Sequence, residues 1–73
     1  MTFEEILPHL KNGEKIIRSG WGGFELYVFL EPTSTHKGST LNPYFLIKTA
    51  DEGYTMFSPT VCDILAEDWE IVQ

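Results

Sequence analysis

Between Ile16 and Leu30 the chain sets two apolar arms around a centre that is cationic, then glycine-rich, then aromatic: Arg18-Ser19-Gly20-Trp21-Gly22-Gly23. The arms are rich in β-branched and aromatic residues, the composition of strands. The glycines mark a turn or bulge between them. A sheet must therefore stand at the heart of the fold. The centre holds the only arginine, one of the two tryptophans and three of the six glycines. Glycine offers no side chain to pack on but lets a backbone or a ligand come close. Two readings of Trp21 follow, a bulged hairpin with the ring folded onto the sheet, or a ligand surface.

The flanking sequence supplies the other elements. Thr2 and Glu5 have the spacing of a capping box. Phe3, Ile6, Leu7 and Leu10 then fall on one helical stripe. Pro8 removes one hydrogen bond from that helix, which predicts a kinked or tightened segment. Asn12-Gly13 ends it. Lys15 to Arg18 reads as one strand and Glu25 to Leu30 as a second, apolar enough to be buried on both faces. In so small a domain one of those faces is expected to meet another subunit. Glu31-Pro32 stops this strand, and the polar tract Thr33 to Asn42 reads as a loop.

Pro43 to Thr49 and Tyr54 to Phe57 read as a hairpin around an Ala50-Asp51-Glu52-Gly53 turn. Ser58-Pro59 has the signature of a helix start, with Cys62 and Leu65 on one side of that helix. Trp69 to Val72 alternates as a last strand. The expected fold is α+β. It has a short N-terminal helix, a mainly antiparallel sheet of four to five strands, and a short helix before the last strand, in one domain over residues 1–73.

Size sharpens the expectation of an oligomer. A single core in 73 residues supplies only about 3–5 kcal/mol. Cys62 alone forms no internal disulfide, and no Cys/His cluster suggests structural zinc. With 42% hydrophobic residues, burial between subunits is the simplest remaining source of stability.

The net charge of −6 and five scattered basic residues argue against duplex nucleic acid. No basic leader precedes an apolar run, and no window is long enough to span a membrane, so a cytoplasmic protein is expected. Local convergence of Arg18 and Lys48 could still hold a small phosphate ligand, although both could equally extend to water.

Catalysis finds little support. His9 falls off the helical stripe and His36 in the polar tract. The apolar neighbours of Cys62 suit a buried small side chain better than a nucleophile. Asp63, Glu67 and Asp68 could gather a hard cation, but they read more simply as solvated carboxylates at a helix end. There is no phosphate loop, and Gly20, Gly22 and Gly23 do not match the dinucleotide fingerprint. No cofactor or metal is expected. Arg18, Trp21, Phe24, Tyr27, Tyr44, Lys48 and Phe57 are ingredients for stacking a nucleobase and binding phosphate. They are equally ingredients for a subunit interface.

Three segments carry a family resemblance: Arg18-Ser19-Gly20-Trp21 with Gly23, Ile47 to Asp51, and Asp63 to Val72. Together with Phe3 to Lys15 they resemble the Thoeris anti-defence protein two family of small phage and prophage proteins. The likeness covers most of the chain apart from Thr33 to Asn42. It implies a homotetrameric sponge that sequesters cyclic nucleotide immune signals without cleaving them. The implied ligand is glycocyclic ADP-ribose of Thoeris defence, with cyclic dinucleotides of CBASS in a second pocket of some members. Carried onto this chain, the resemblance implies Trp21 and Phe24 for base stacking, Arg18 and Lys48 for phosphate, and Thr49 and Asp51 for polar contacts to ribose or base. The chain departs from the family pattern at Gly22, where Asn is usual. It departs again at Met56-Phe57, where Pro-Trp is usual, and at Thr60-Val61-Cys62, where Ser-Gln-Thr is usual. The alternative reading is an interaction oligomer that binds a host protein through its aromatic patch.

Overall fold

A computed structural model describes residues 1–51 and 53–72. The chain runs α1 (Phe3–Lys11), β1 (Lys15–Arg18), β2 (Glu25–Glu31), β3 (Ser34–His36), β4 (Ser39–Leu41), β5 (Tyr44–Thr49), β6 (Gly53–Phe57), α2 (Val61–Leu65) and β7 (Trp69–Val72). Five strands make one antiparallel sheet in the order β6-β5-β2-β1-β7, with β2 at its centre. The α+β expectation holds, including the short helix before the last strand.

The capping box forms as the sequence predicts. The Thr2 hydroxyl accepts from the Glu5 amide, and the Glu5 carboxylate accepts from the Thr2 amide at 2.9 Å. The helix continues through Pro8. Glu4 and Pro8 are both exposed, so the carbonyl that Pro8 cannot bond lies on the solvent side. The far end closes as a Schellman motif. Gly13 sits at φ +89° and donates to the Leu10 carbonyl, while Glu14 donates to that of His9. That turn brings the His9 imidazole within 2.7 Å of the Glu14 carboxylate.

One stripe of α1 lies on one face of the sheet. Ile6 and Leu10 of the helix, Ile16 of β1, Val28 of β2 and Trp69 of β7 form the buried centre. Phe3, Leu30, Phe45, Ile47, Phe57 and Ile71 pack around it. The cross-strand partners Ile16, Val28 and Ile47 fix this as the inner face.

Several local readings change. The polar tract is a second, two-stranded sheet, β3 paired with β4. Lys37 and Gly38 turn it at φ +51° and +82°, the two positive values of a type I′ hairpin. Its Thr and Ser residues pair as strands although no apolar face announces them. α2 is capped by Thr60, two residues after Ser58, and Thr60 and Asp63 close a second capping box. Cys62 is exposed, and Leu65 is 73% exposed. The residue this helix buries is Asp63, at 7% exposure. In β2 only the inner face is fully buried, at Val28; Tyr27 and Phe29 on the other face are half-buried in the single chain. Glu52, which the sequence places in the β5–β6 turn, lies outside the described residues.

Candidate functional site

The two motifs that carry the family resemblance meet in space. Arg18 ends β1 on the inner face, directly opposite Trp69 of β7. Its Nε donates to Asp68 Oδ1 at 2.9 Å and its Nη1 to Asp63 Oδ1 at 3.0 Å. Asp68 Oδ2 accepts from the Gly20 amide at 2.8 Å, and the Asp68 carbonyl accepts from the Ser19 amide. A Cβ on Gly20 would lie 2.7 Å from Asp68 Oδ2, so this turn needs glycine. The Trp69 indole N–H donates to the Asp63 carbonyl at 2.9 Å. Arg-Ser-Gly-Trp and Asp-x-x-x-x-Asp-Trp are thus two halves of one clasp.

Its electrostatics follow from the contacts. Arg18 is held charged, chiefly by Asp68. Asp68 lies below the usual carboxylate range because Arg18 bonds it. Burial pushes Asp63 up, yet the Thr60 amide and hydroxyl and the Arg18 guanidinium together outweigh it and leave Asp63 below its ordinary value. The sequence offers Arg18 a phosphate and reads these acids as solvated. The structure gives Arg18 two carboxylates, each within hydrogen-bond distance.

Trp21 joins the same cluster. Its ring meets Trp69 at 5.5 Å and Phe57 at 5.9 Å, both edge to face. The ring is folded onto the core side of the sheet and stays half-buried.

The other residues singled out by sequence collect at one end of the sheet. The Ala50 amide donates to the Phe24 carbonyl at 2.8 Å, and Glu25 pairs with Thr49. This places Phe24, Thr49 and Asp51 at one corner. The Phe24 side chain is 65% exposed there. A β-bulge follows between Glu25 and Tyr27. Lys48 is one residue from Thr49 but on the outer face, where its Nζ lies 5.2 Å from the centre of the Tyr54 ring.

Sequence reasoning missed Glu25 at this corner. Its Oε2 is buried and has no hydrogen-bond partner among the described residues. A Cβ on Gly23 would come within 2.9 Å of that oxygen, so Gly23 leaves it room. A buried acceptor without a donor calls for an explanation, and a ligand hydroxyl or amine would provide one. A carboxylate opening an otherwise apolar strand was the available signal.

A recess of about 550 Å³ lies at the opposite end of β2 and β5, lined by Leu7, Lys11, Leu30, Tyr44, Phe45 and Phe57 among others. None of the six residues predicted for ligand contact lines it. Of the aromatic set, Tyr44 and Phe57 do, and Lys11 is an addition. No group of three or more His, Cys, Asp or Glu residues able to hold a metal ion occurs among the described residues. No described helix is long and apolar enough to cross a membrane.

With that geometry in hand, the comparisons with known proteins are specific. The Thoeris anti-defense 2-like domain matches residues 1–72. The chain is also similar to Thoeris anti-defense 2 of Bacillus phage SP01, with 38% identity over 84 aligned positions covering 99% of this chain and 94% of that protein. The chain belongs to the Thoeris anti-defense 2-like family.

Proposed function

We propose that this protein is an anti-defence sponge, a homotetramer in the host bacterial cytoplasm that binds a cyclic nucleotide immune signal and holds it without cleaving it. The signal is glycocyclic ADP-ribose of Thoeris defence, with CBASS cyclic dinucleotides as ligands of a second pocket. The family supplies the anti-defence role. The observation that supports a nucleotide at this chain's own corner is the pairing of Phe24 with Glu25. One is an exposed ring able to stack a base; the other carries a buried acceptor, without a partner among the described residues, able to take a hydrogen bond from a ribose hydroxyl. Asp51 and Thr49 add polar groups beside them, and Lys48 adds a cation at the same end of the sheet. In this reading Arg18 and Trp21 act by fixing the clasp behind the site.

The test separates binding from turnover. The protein is incubated with glycocyclic ADP-ribose, or with a cyclic dinucleotide, and free ligand is measured after filtration. A sponge depletes the ligand and returns it intact on heat denaturation. A chemically altered product means an enzyme. No depletion leaves the interaction-oligomer reading, in which the aromatic patch docks a host protein.

A further inference from the structure

Glu25 opens β2 with its backbone fixed and its carboxylate covered by a segment that is not. The backbone pairs with Thr49 of β5. The side chain folds back onto Gly23, where a Cβ would lie 2.9 Å from Oε2 and 3.6 Å from Oε1. The covering segment is anchored at both ends. The Trp21 amide donates to the Arg18 carbonyl at 3.1 Å, and the Phe24 carbonyl accepts from the Ala50 amide at 2.8 Å. Between these anchors Gly22 and Gly23 make no backbone hydrogen bond among the described residues. Nothing lies within 4 Å of a Cβ at Gly22. Two glycines in open space between fixed ends are free to hinge.

We infer that Glu25 sets the specificity of this corner, and that Gly22-Gly23 is a cover that lifts to admit the ligand. The feature selected is a hydrogen-bond donor, a sugar hydroxyl or a base amine; the group refused is phosphate. With the cover down, Oε2 is shut off from water and has no donor among the described residues. The carboxylate has then given up hydration without a replacement. Lifting the two glycines returns the oxygen to water, and a ligand donor replaces that water with a charge-assisted bond. A ligand that brings only acceptors leaves the oxygen unmatched, which is how polar sites reject analogues that lack a donor. Phosphate is repelled as well. No ion pair among the described residues involves Glu25, and the exposed Asp51 stands at the same corner. The nucleoside end of the ligand therefore enters here, against the Phe24 ring, with its phosphates directed away.

This inference rests on the corner proposed above as a ligand site, but not on which signal fills it. Titration followed by amide resonances tests it, with adenosine, dideoxyadenosine, purine riboside and inorganic pyrophosphate as probes. Adenosine should shift the Gly22, Gly23 and Phe24 amides, and pyrophosphate should leave them in place. Weaker binding of dideoxyadenosine assigns the donor to the sugar, and weaker binding of purine riboside assigns it to the base amine; the loss should be about tenfold or more. Glu25→Ala removes the acceptor and should bind all three nucleosides alike. Gly23→Ala, whose methyl displaces the carboxylate, should lose the discrimination in the same way, both variants keeping a native far-ultraviolet spectrum. Amides unmoved by adenosine, a shift with pyrophosphate, a wild type that treats the nucleosides alike, or a Glu25→Ala variant that still tells them apart would each overturn the inference. Depletion of glycocyclic ADP-ribose, measured alongside, keeps the two readings separate. Depletion without discrimination leaves the sponge standing and removes the donor selection; discrimination without depletion does the reverse.

Discussion

Arg18 and Asp68 lie 50 positions apart in sequence and 2.9 Å apart in space. That bond closes the β1 end onto the segment leading into β7, and Asp63 makes the guanidinium a bridge between α2 and the sheet. Removing the bridge leaves Asp63 with its burial and without its cation. Arg18→Ala should therefore destabilise the fold by about 2 kcal/mol, in the range for lost hydrogen bonds to charged groups. In a domain this small that is a melting temperature lower by roughly 10 °C. Arg18→Lys keeps the charge but not the fork and should recover only part of the loss. Circular dichroism melts at one fixed protein concentration decide it, and an unchanged midpoint would show that the clasp contributes nothing.

The same clasp sets an acid limit. Asp63 and Asp68 both titrate below the ordinary carboxylate range when folded. Unfolding returns each to an ordinary value near about 3.9. Folded pKa values below unfolded ones mean a stabilisation that is complete above the unfolded value and lost as pH falls through the folded one. Melting temperature should decline as pH drops below about 4. Arg18→Ala should flatten that decline, because its carboxylates titrate closer to the unfolded values. An identical acid slope in both proteins would remove Arg18 as its source.

How far the sequence reveals this fold depends on whether local chemistry or distant partners decide each feature. The α1 capping box, the Gly13 stop and the strands are legible because each rests on residues a few positions apart. The β3–β4 hairpin is hidden because its strands are short and polar at every position but Leu41, and its turn is Lys37-Gly38 rather than Asn-Gly. The α2 start is misplaced by two residues because Ser58-Pro59 and Thr60–Asp63 both spell a helix cap, and only packing chooses between them. The Arg18 clasp is hidden because its acids are far away in sequence. The same distance conceals Glu25, whose orphaned oxygen is visible only once Gly23 is folded beside it.

Trp21 tests the division between scaffold and site. Its edge-to-face contacts with Trp69 and Phe57 make it part of the packing, and it is only half-buried. Trp21→Ala should cost about 2–3 kcal/mol of stability, less than the figure for a fully buried ring. Whatever ligand affinity remains at a temperature well below the lowered midpoint should be close to wild type. A large loss of affinity with an unchanged melt would return Trp21 to the ligand surface.

Cys62 gives a direct check on α2. It is exposed and contributes nothing to the described core. A thiol reagent should label it fully in the native protein, without denaturant. Cys62→Ser should shift stability by no more than about 0.5 kcal/mol, the usual range for surface changes. Protection of the thiol in the native state would mean that α2 is covered by another subunit.

Phe24 and Glu25 carry the ligand reading, and their variants separate it from stability. Phe24 is 65% exposed, so Phe24→Ala should leave the melt within about 0.5 kcal/mol of wild type. If the ring stacks a base, the same change removes about 1–3 kcal/mol of binding, roughly a 5- to 150-fold loss of affinity. Glu25→Gln is the sharper variant. Its side chain keeps the shape, but one carboxylate oxygen becomes an amide that donates. Set against a ligand hydroxyl that donates, an amide nitrogen placed where Oε2 lies would lose the bond, whereas the free protein, in which Oε2 has no partner among the described residues, should be as stable as wild type or slightly more so. Calorimetric titration with glycocyclic ADP-ribose and a thermal melt on each variant give both quantities. Weakened binding with an intact melt in both variants places the ligand at this corner; wild-type affinity in both would move it elsewhere, with the recess lined by Lys11 and Phe57 as the next place to mutate.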